Sequence, residues 1–508
     1  GVRFWLLLAG RPRILRVMGN AMQSRDEVFE RARLSRDARF DGRFFIGVKT
    51  TGIYCRPICP ANAPKSENIV FYRTAASAGE AGFRPCLRCR PECAPGTAAW
   101  AGTSTTVQRG LRLIAEGALD DGNVERLSDR LGVTSRHLRR LFARHLGASP
   151  LAVAHTQRLH FAKNLIDQTS LSMQDISVAA GFGSVRRFND TFKKTYGRTP
   201  RELRRHREST VVSSAFAVQL PYRLPFDWQR VLAFYSARAT PGVERVENGH
   251  YLRTIAIGDV GGIVDVHDAG GHLSLSLHGI GTEGLFSIVQ RVRSIFDLDA
   301  TTNDIASTLS ADDVLRPLVK SNPGVRVPGS WDGFELTVRA ILGQQVSVSA
   351  ATTLAGRIAD RYGERIEVAV DGMAQAPTRL FPQPNRLMRA RLETLGIIGS
   401  RARTIRRVAS AVVAGDISFD AAEPTDRFRN SLKTIKGIGD WTAEYVAMRA
   451  MKDPDAFPAS DLGLLRAFDA PGCERMKPRE LLERAEAWRP WRAYAALLLW
   501  GSENGAGG

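Results

Sequence analysis

Six cysteines occur in the chain, and five of them fall within 39 residues: Cys55, Cys59, Cys86, Cys89 and Cys93. Three residues separate Cys55 from Cys59, two separate Cys86 from Cys89, and 26 lie between the pairs. Two close thiolate pairs can supply four tetrahedral ligands to zinc, and the intervening chain is long enough for a small sheet. Disulfide scaffolds are usually short and secreted, so clustered cysteines in a long, arginine-rich chain favour metal. The commoner use of such a site is structural. Zinc also keeps a thiol deprotonated, however, and the thiolate is the nucleophile. Cys93 reads as a bystander, because the other four complete the tetrahedron. Cys473 lies far away, in Pro471-Gly472-Cys473-Glu474.

A second chemical signal is Leu432-Lys433-Thr434-Ile435-Lys436-Gly437-Ile438-Gly439-Asp440-Trp441-Thr442-Ala443. Two helices joined by a Gly-x-Gly turn can point backbone N–H groups at a DNA phosphate. An acidic residue follows at Asp461, inside Phe457-Pro458-Ala459-Ser460-Asp461-Leu462-Gly463, and the chain ends in aromatics from Trp488 to Trp500. Alone, the Gly-Ile-Gly turn is weak; its aromatic and acidic context strengthens it.

Both signals resemble known families. Thr50-Thr51-Gly52-Ile53-Tyr54-Cys55-Arg56-Pro57-Ile58-Cys59 and Gly82-Phe83-Arg84-Pro85-Cys86-Leu87-Arg88-Cys89 closely resemble the N-terminal domain of the bacterial adaptive-response regulator Ada. That resemblance implies a zinc site of Cys55, Cys59, Cys86 and Cys89, with Cys55 accepting a methyl group from a DNA methylphosphotriester. Methylation removes one negative charge, so repulsion from phosphate falls and DNA affinity should rise. The reaction can act as an irreversible switch.

From about residue 216 to Trp500 the chain resembles helix-hairpin-helix DNA glycosylases of the AlkA type, which excise 3-methyladenine and related bases. The resemblance includes Phe334-Glu335-Leu336-Thr337-Val338-Arg339-Ala340-Ile341-Leu342-Gly343-Gln344-Gln345-Val346-Ser347, a segment that faces DNA in that family. It implies a hairpin with Gly437, Ile438 and Gly439 at the DNA. It also implies a base pocket of Trp441, Tyr445 and Trp500, with Asp461 as the catalytic carboxylate. The chemistry is coherent. A base must leave the stack before its glycosidic bond is reached. Aromatic faces attract a cationic alkylated base. A carboxylate stabilises the oxocarbenium character that develops on the sugar. Bifunctional relatives carry a lysine directly after the hairpin; here that position is Trp441, so a monofunctional glycosylase is expected. Some members insert a leucine wedge where this chain has Gln345. The Pro-Cys-His-Arg motif of the O-6-alkylguanine methyltransferase is not found, so that activity is not expected.

Between these regions lies an internal repeat. Leu141-Phe142-Ala143-Arg144-His145-Leu146-Gly147-Ala148-Ser149-Pro150 returns 50 residues later as Thr191-Phe192-Lys193-Lys194-Thr195-Tyr196-Gly197-Arg198-Thr199-Pro200, which implies two copies of one helical unit. In each, an apolar helical pattern breaks at a glycine, Gly132 or Gly181, before a helix rich in arginine. This is helix-turn-helix grammar. The segment resembles the AraC-type DNA-binding domain, with Arg136, Arg139, Arg186 and Arg187 as DNA-facing candidates.

The elements positioning these residues follow from composition and periodicity. At 508 residues the chain should hold three or four domains, and its net charge of +19 points to a nucleic-acid partner. The expected architecture is multidomain α+β. Residues 1–24 read as a disordered or mistranslated extension, with Met22 a candidate start; Phe4 to Ala9 make too short an apolar core for a signal peptide. Residues 25–96 form a small zinc-bound α/β module with strands at 43–48 and 68–72. Residues 107–206 form an all-α double helix-turn-helix domain after a small-residue linker at 97–105. Residues 215–303 form a small antiparallel sheet-plus-helix domain, where Leu273-Ser274-Leu275-Ser276-Leu277 alternates as a strand does and a helix is expected near 284–296. Residues 304–508 form an all-α helix-hairpin-helix glycosylase domain. No stretch is long enough to span a membrane. The expected setting is the cytoplasm at the nucleoid, as a monomer, with alkylated and promoter double-stranded DNA and RNA polymerase as partners. The rival reading is a non-catalytic DNA-binding regulator with structural zinc and an inactive glycosylase fold.

Overall fold

The structure, a computed structural model, describes residues 25–95, 105–120, 122–205, 217–370, 372–373, 375–469 and 475–503. The expectations for 1–24, for most of the linker at 97–105, for the linker at 208–214 and for Cys473 fall outside these residues.

The N-terminal module is a four-stranded sheet of order β3-β1-β2-β4, made from β1 (Phe45–Val48), β2 (Ile53–Cys55), β3 (Ile69–Tyr72) and β4 (Arg84–Pro85). Side chains alternate across a strand. Ile46 and Val48 therefore pack with Phe29 and Ala32 of the helix at 25–34, while Phe45 turns to the opposite side and packs with Ala75 and Ala78 of the helix Ala75–Glu80. The two expected strands are present in slightly shorter form. Strands β2 and β4 add the parallel pair that brings the two cysteine pairs together.

Two helix-turn-helix units follow. In the first, the helices Val124–Leu131 and Ser135–Leu146 meet at Gly132, whose φ of +70° suits glycine. Thr134 caps the second helix by accepting the His137 N–H. In the repeat, Met173–Ala179 leads to Val185–Tyr196, which Ser184 caps through the Arg187 N–H. The 19-residue helix Pro150–Gln168 joins the units. The helix preceding them starts at Thr105, two residues earlier than expected.

Next comes an antiparallel sheet of order β5-β9-β8-β7-β6, formed by β5 (Ala217–Pro221), β6 (Glu244–Glu247), β7 (His250–Ile257), β8 (Val260–Asp268) and β9 (His272–His278). The helices Trp228–Ser236 and Leu285–Ile295 cover one face, burying Val264, Val266, Leu273, Leu275 and Leu277. The remaining helices form two clusters. One is built on Gly333–Leu342, Val348–Tyr362, Gly399–Ala414, Thr425–Lys433 and Asp440–Arg449. The other is built on Thr302–Leu309, Leu315–Ser321, Leu462–Arg466, Pro478–Ala485 and Arg492–Glu503. Residues 364–370 and 375–380, inside the domain expected to be all-α, are not helical, and Arg365 and Arg379 form a β-bridge. Ile366 and Val370 pack on Leu252 and Ile263, so an apolar sheet face claims them.

Sheet and helices are joined by a buried ionic network. Arg253 on β7 donates to Glu244 at 2.9 Å and pairs with Glu335 on the helix Gly333–Leu342. Arg339 donates to the other Glu244 oxygen at 2.9 Å, and the Tyr251 hydroxyl donates to Glu244 at 2.6 Å. Burial pushes the Glu244 carboxyl up, but Arg339, Arg253 and Tyr251 outweigh it and bring it down to about 2. Removing one partner of a buried pair leaves an uncompensated charge. Arg253→Met should therefore destabilise the C-terminal half by about 3–5 kcal/mol. Urea unfolding followed by tryptophan fluorescence checks this, because Trp228, Trp331, Trp441, Trp488, Trp491 and Trp500 all report on that half. A change within about 0.5 kcal/mol would show the network to be energetically idle.

Candidate active site and metal centre

The helix Asp440–Arg449 presents Trp441 and Tyr445 one turn apart, so their rings stack: centroids 5.2 Å apart, planes at 9°. Trp500, on the last helix of the other cluster, meets Tyr445 at 6.4 Å and 62°. Asp461 bridges the clusters. Its Oδ2 accepts from Trp441 Nε1 at 2.6 Å, and its Oδ1 accepts from Trp500 Nε1 at 2.8 Å. Oδ1 also accepts the backbone N–H groups of Gly463 and Leu464 at 2.9 and 3.1 Å, so Asp461 caps the short helix Leu462–Arg466. The structure thus brings the four sequence-selected residues together and gives the carboxylate a structural duty as well.

Two positioning groups escaped the sequence reading. Arg449 donates to the Tyr445 hydroxyl at 2.6 Å and lies over the rings of Tyr445 and Phe234. Burial raises the Tyr445 phenol, but Arg449, Arg238 and Arg339 pull it below its ordinary value. The i, i+4 spacing of Tyr445 and Arg449 on one helix was the available signal. Thr404 is the other. Its hydroxyl donates to the Lys436 carbonyl at 3.0 Å and closes the hairpin from below.

The hairpin runs from the helix Thr425–Lys433 through Gly437 to Gly439, which stands at the N-terminus of Asp440–Arg449 without a side-chain cap. The opening N–H groups of that helix are available to an anion. Gly437 has φ +103°, and a Cβ there would lie 2.2 Å from Thr404 Oγ1. Ile438, between the two glycines of the turn, faces the protein interior. Its side chain is buried in the helical core and its N–H donates to the Ile435 carbonyl at 3.0 Å, so it anchors the turn from within. Gln344 also turns inward, donating to the Gly437 carbonyl at 3.0 Å and to Thr442 Oγ1 at 3.1 Å. Gln345 beside it is exposed, in the left-handed region at φ +55°, and flanked by the exposed Val346 and Val348.

At the N-terminal module, one sulfur from each of Cys55, Cys59, Cys86 and Cys89 lies within 4.8 Å of the others. Tetrahedral zinc with bonds of about 2.3 Å needs sulfurs about 3.8 Å apart, which this cluster fits. Cys86 and Cys89 are buried, and Cys55 and Cys59 are half-exposed. The Arg56 N–H donates to Cys89 Sγ at 3.3 Å, and the Arg56 guanidinium is held by Asp41. Cys93 lies outside the cluster, beside Asn164, and burial raises its thiol. On the helix-turn-helix units, Arg136, Arg139, Arg186 and Arg187 are all exposed, and Arg139 pairs with Glu125 at 3.1 Å.

Four family models match successive parts of the chain. Residues 29–92 match the family described as the metal binding domain of Ada, and 127–206 match a helix-turn-helix domain. Residues 217–332 match the AlkA N-terminal domain, and 338–493 match the HhH-GPD superfamily of base excision DNA repair proteins. A Mycobacterium tuberculosis protein named "Probable bifunctional transcriptional activator/DNA repair enzyme AlkA" is 41% identical over 475 residues, 92% of this chain and 95% of that one. DNA-3-methyladenine glycosylase 2 of Escherichia coli is 34% identical over 56% of this chain and 97% of its own length. The bifunctional transcriptional activator/DNA repair enzyme Ada of Escherichia coli is 33% identical over 36% of this chain and half of its own. Fold and site therefore define the class: a base-excision glycosylase fold joined to an Ada-type metal module and a double helix-turn-helix. The chain belongs to the family of the Mycobacterium tuberculosis activator and repair enzyme.

If the hairpin is a DNA contact, Gly437→Ala should weaken binding to undamaged duplex by about 1–3 kcal/mol, the cost of a strained backbone position. Fluorescence anisotropy on duplexes of differing sequence checks it. Unchanged affinity would remove the hairpin from the interface.

Proposed function

We propose that this protein repairs and reports DNA alkylation. Its C-terminal half hydrolyses the N-glycosidic bond of alkylated bases of the 3-methyladenine class. Its N-terminal module takes a methyl group from a DNA methylphosphotriester and thereby activates transcription. Asp461, held by two indole N–H groups between the helical clusters, is the observation that carries the glycosylase reading.

The flipped base packs against the faces of Trp441, Tyr445 and Trp500, which favour a cationic ring. As the C–N bond breaks, its electron pair leaves with the base, and positive charge grows on the sugar. The Asp461 carboxylate stabilises that charge while water supplies the new C–O bond. No lysine follows the hairpin, which supports base release without strand cleavage. Gln345 fills the gap left by the base.

In the N-terminal module, Cys55, Cys59, Cys86 and Cys89 would hold zinc, which when bound keeps the thiols deprotonated. Cys55 Sγ attacks the methyl carbon, the C–O bond to the phosphotriester breaks, and the phosphodiester leaves as an anion. Half-exposure favours Cys55 or Cys59 over the buried pair, and the Ada resemblance selects Cys55. The chain then binds promoter DNA through Arg136, Arg139, Arg186 and Arg187 and signals to RNA polymerase, acting as a monomer at the nucleoid. Among the described residues, no helix is long and apolar enough to cross a membrane.

Two measurements separate this reading from a regulator with an idle repair fold. Asp461→Asn should lower release of free base from methylated duplex by about 10²–10³-fold while leaving duplex affinity largely intact. Equal release by wild type and variant would take Asp461 out of the chemistry. For the other half, Cys55→Ser should abolish transfer of radiolabelled methyl from methylated DNA to the protein. Labelling that persists in the variant would assign the acceptor elsewhere.

A further inference from the structure

The face of the second sheet turned away from its two helices carries polar side chains that neither proposed activity uses. On β8, Ile263, Asp265 and His267 share this face. The antiparallel register sets His250 of β7 opposite His267 and His278 of β9 opposite Ile263. His250 Nδ1 lies 2.7 Å from Asp265 Oδ1, and the His250 and His267 rings are 4.5 Å apart at 34°. One nitrogen of each of these histidines and one Asp265 oxygen all fall within 4.8 Å of one another. His278 Nε2 stands 4.0 Å from the second Asp265 oxygen.

A bland account exists: a cross-strand His–Asp hydrogen bond with a histidine stacked beside it. That account satisfies His250 and one oxygen of Asp265. It leaves His267 Nδ1 and His278 Nε2 buried with no hydrogen-bond partner. Buried polar atoms are rarely left so, because each forfeits its hydration. A cation at the centre of the His250, Asp265 and His267 cluster would give the His267 ring the partner that the hydrogen-bonded arrangement denies it.

We propose that His250, Asp265 and His267 form a second metal site, for a divalent transition ion of the Zn²⁺ or Ni²⁺ class, with His278 at its margin. Two imidazoles and a carboxylate suit such ions. Mg²⁺ and Ca²⁺ prefer all-oxygen shells and are disfavoured here. The three ligands come from adjacent strands, so the ion would pin β7 to β8 at the end of their hairpin. Because it binds the folded sheet, it stabilises that sheet by mass action. Neither the four-thiolate centre nor the aromatic pocket shares any of its residues.

The test uses the full chain with its thiolate site saturated with zinc. Calorimetric titration with Ni²⁺ should show micromolar binding to the wild type. Loss of a direct ligand should weaken it by about a hundredfold or more in His267→Gln, with Zn²⁺ at the cysteines unchanged by elemental analysis. His250 is half-exposed where Asp265 is buried, so His250→Gln is the second variant should His267→Gln alter the circular dichroism spectrum; it should weaken Ni²⁺ binding likewise. Uptake by the wild type only at millimolar Ni²⁺ overturns the proposal. So does uptake of unchanged affinity in a folded variant.

Discussion

The architecture of the C-terminal half depends on one buried arrangement of charge: Glu244 and Glu335 shared between Arg253 and Arg339. Two carboxylates this close repel, and each would be expensive alone in the interior. The guanidiniums resolve both difficulties at once, but only while β6, β7 and the helix Gly333–Leu342 hold their places. The network also reaches the aromatic cluster of Trp441, Tyr445 and Trp500. Arg339 donates to the Arg238 carbonyl, and Arg238 and Arg449 both lie over the Phe234 ring. Arg449 in turn fixes the Tyr445 hydroxyl and donates to the Pro328 and Gly329 carbonyls. Sheet geometry is thereby transmitted to the aromatic cluster through planar, multiply donating cations, a duty for which lysine's point charge would be a poor substitute.

A similar junction joins the N-terminal module to the sheet domain. Arg56 contacts Cys89 with its backbone N–H and Asp41 with its guanidinium, and Asp41 offers its carbonyl to Arg223 at 2.8 Å. Arg326 caps the Arg223 and Pro225 carbonyls from the far side. On the other flank of the module, Thr74 donates to the Leu146 carbonyl at 3.0 Å, and Glu80 accepts the Ser149 N–H. These contacts are mostly polar and specific in direction, so they define an orientation more than they supply burial.

What could be read along the chain was periodic or local. The alternation from Leu273 to Leu277 is β9, because a half-buried sheet imposes a period of two. Gly132 and Thr134 mark the turn and the cap because only certain residue types satisfy those backbone demands. The cysteine spacing shows the thiolate cluster because ligand pairs must be close in sequence to chelate. What could not be read was set by partners distant in sequence. Nothing near Ile366 and Val370 names Leu252 and Ile263 as the apolar surface they will cover. Ile438 looks like part of a surface turn, yet the apolar interior between hairpin helices takes it. Gln344 resembles its neighbour Gln345 in every local respect, and only the hairpin 93 residues onward distinguishes an inward glutamine from an outward one.

Asp461 caps a helix, and the proposed reaction asks the same carboxylate to face the sugar. A carboxylate offers about four lone-pair sites over two oxygens. Oδ1 accepts three donors, from Gly463, Leu464 and Trp500, and is fully occupied. Among the described residues Oδ2 accepts only the Trp441 indole, so lone-pair capacity remains on that oxygen. The helix-capping duty falls entirely on Oδ1, and the proposed stabilisation of the sugar therefore falls to Oδ2. The donors on Oδ1 fix the plane of the group before any substrate arrives, so Oδ2 needs no reorganisation when charge develops opposite it. Capping and the proposed catalysis therefore do not compete: the cap orients the oxygen that the helix N-terminus does not use. Trp441 then has a double part, since the ring that would face the base also orients the oxygen that would face the sugar.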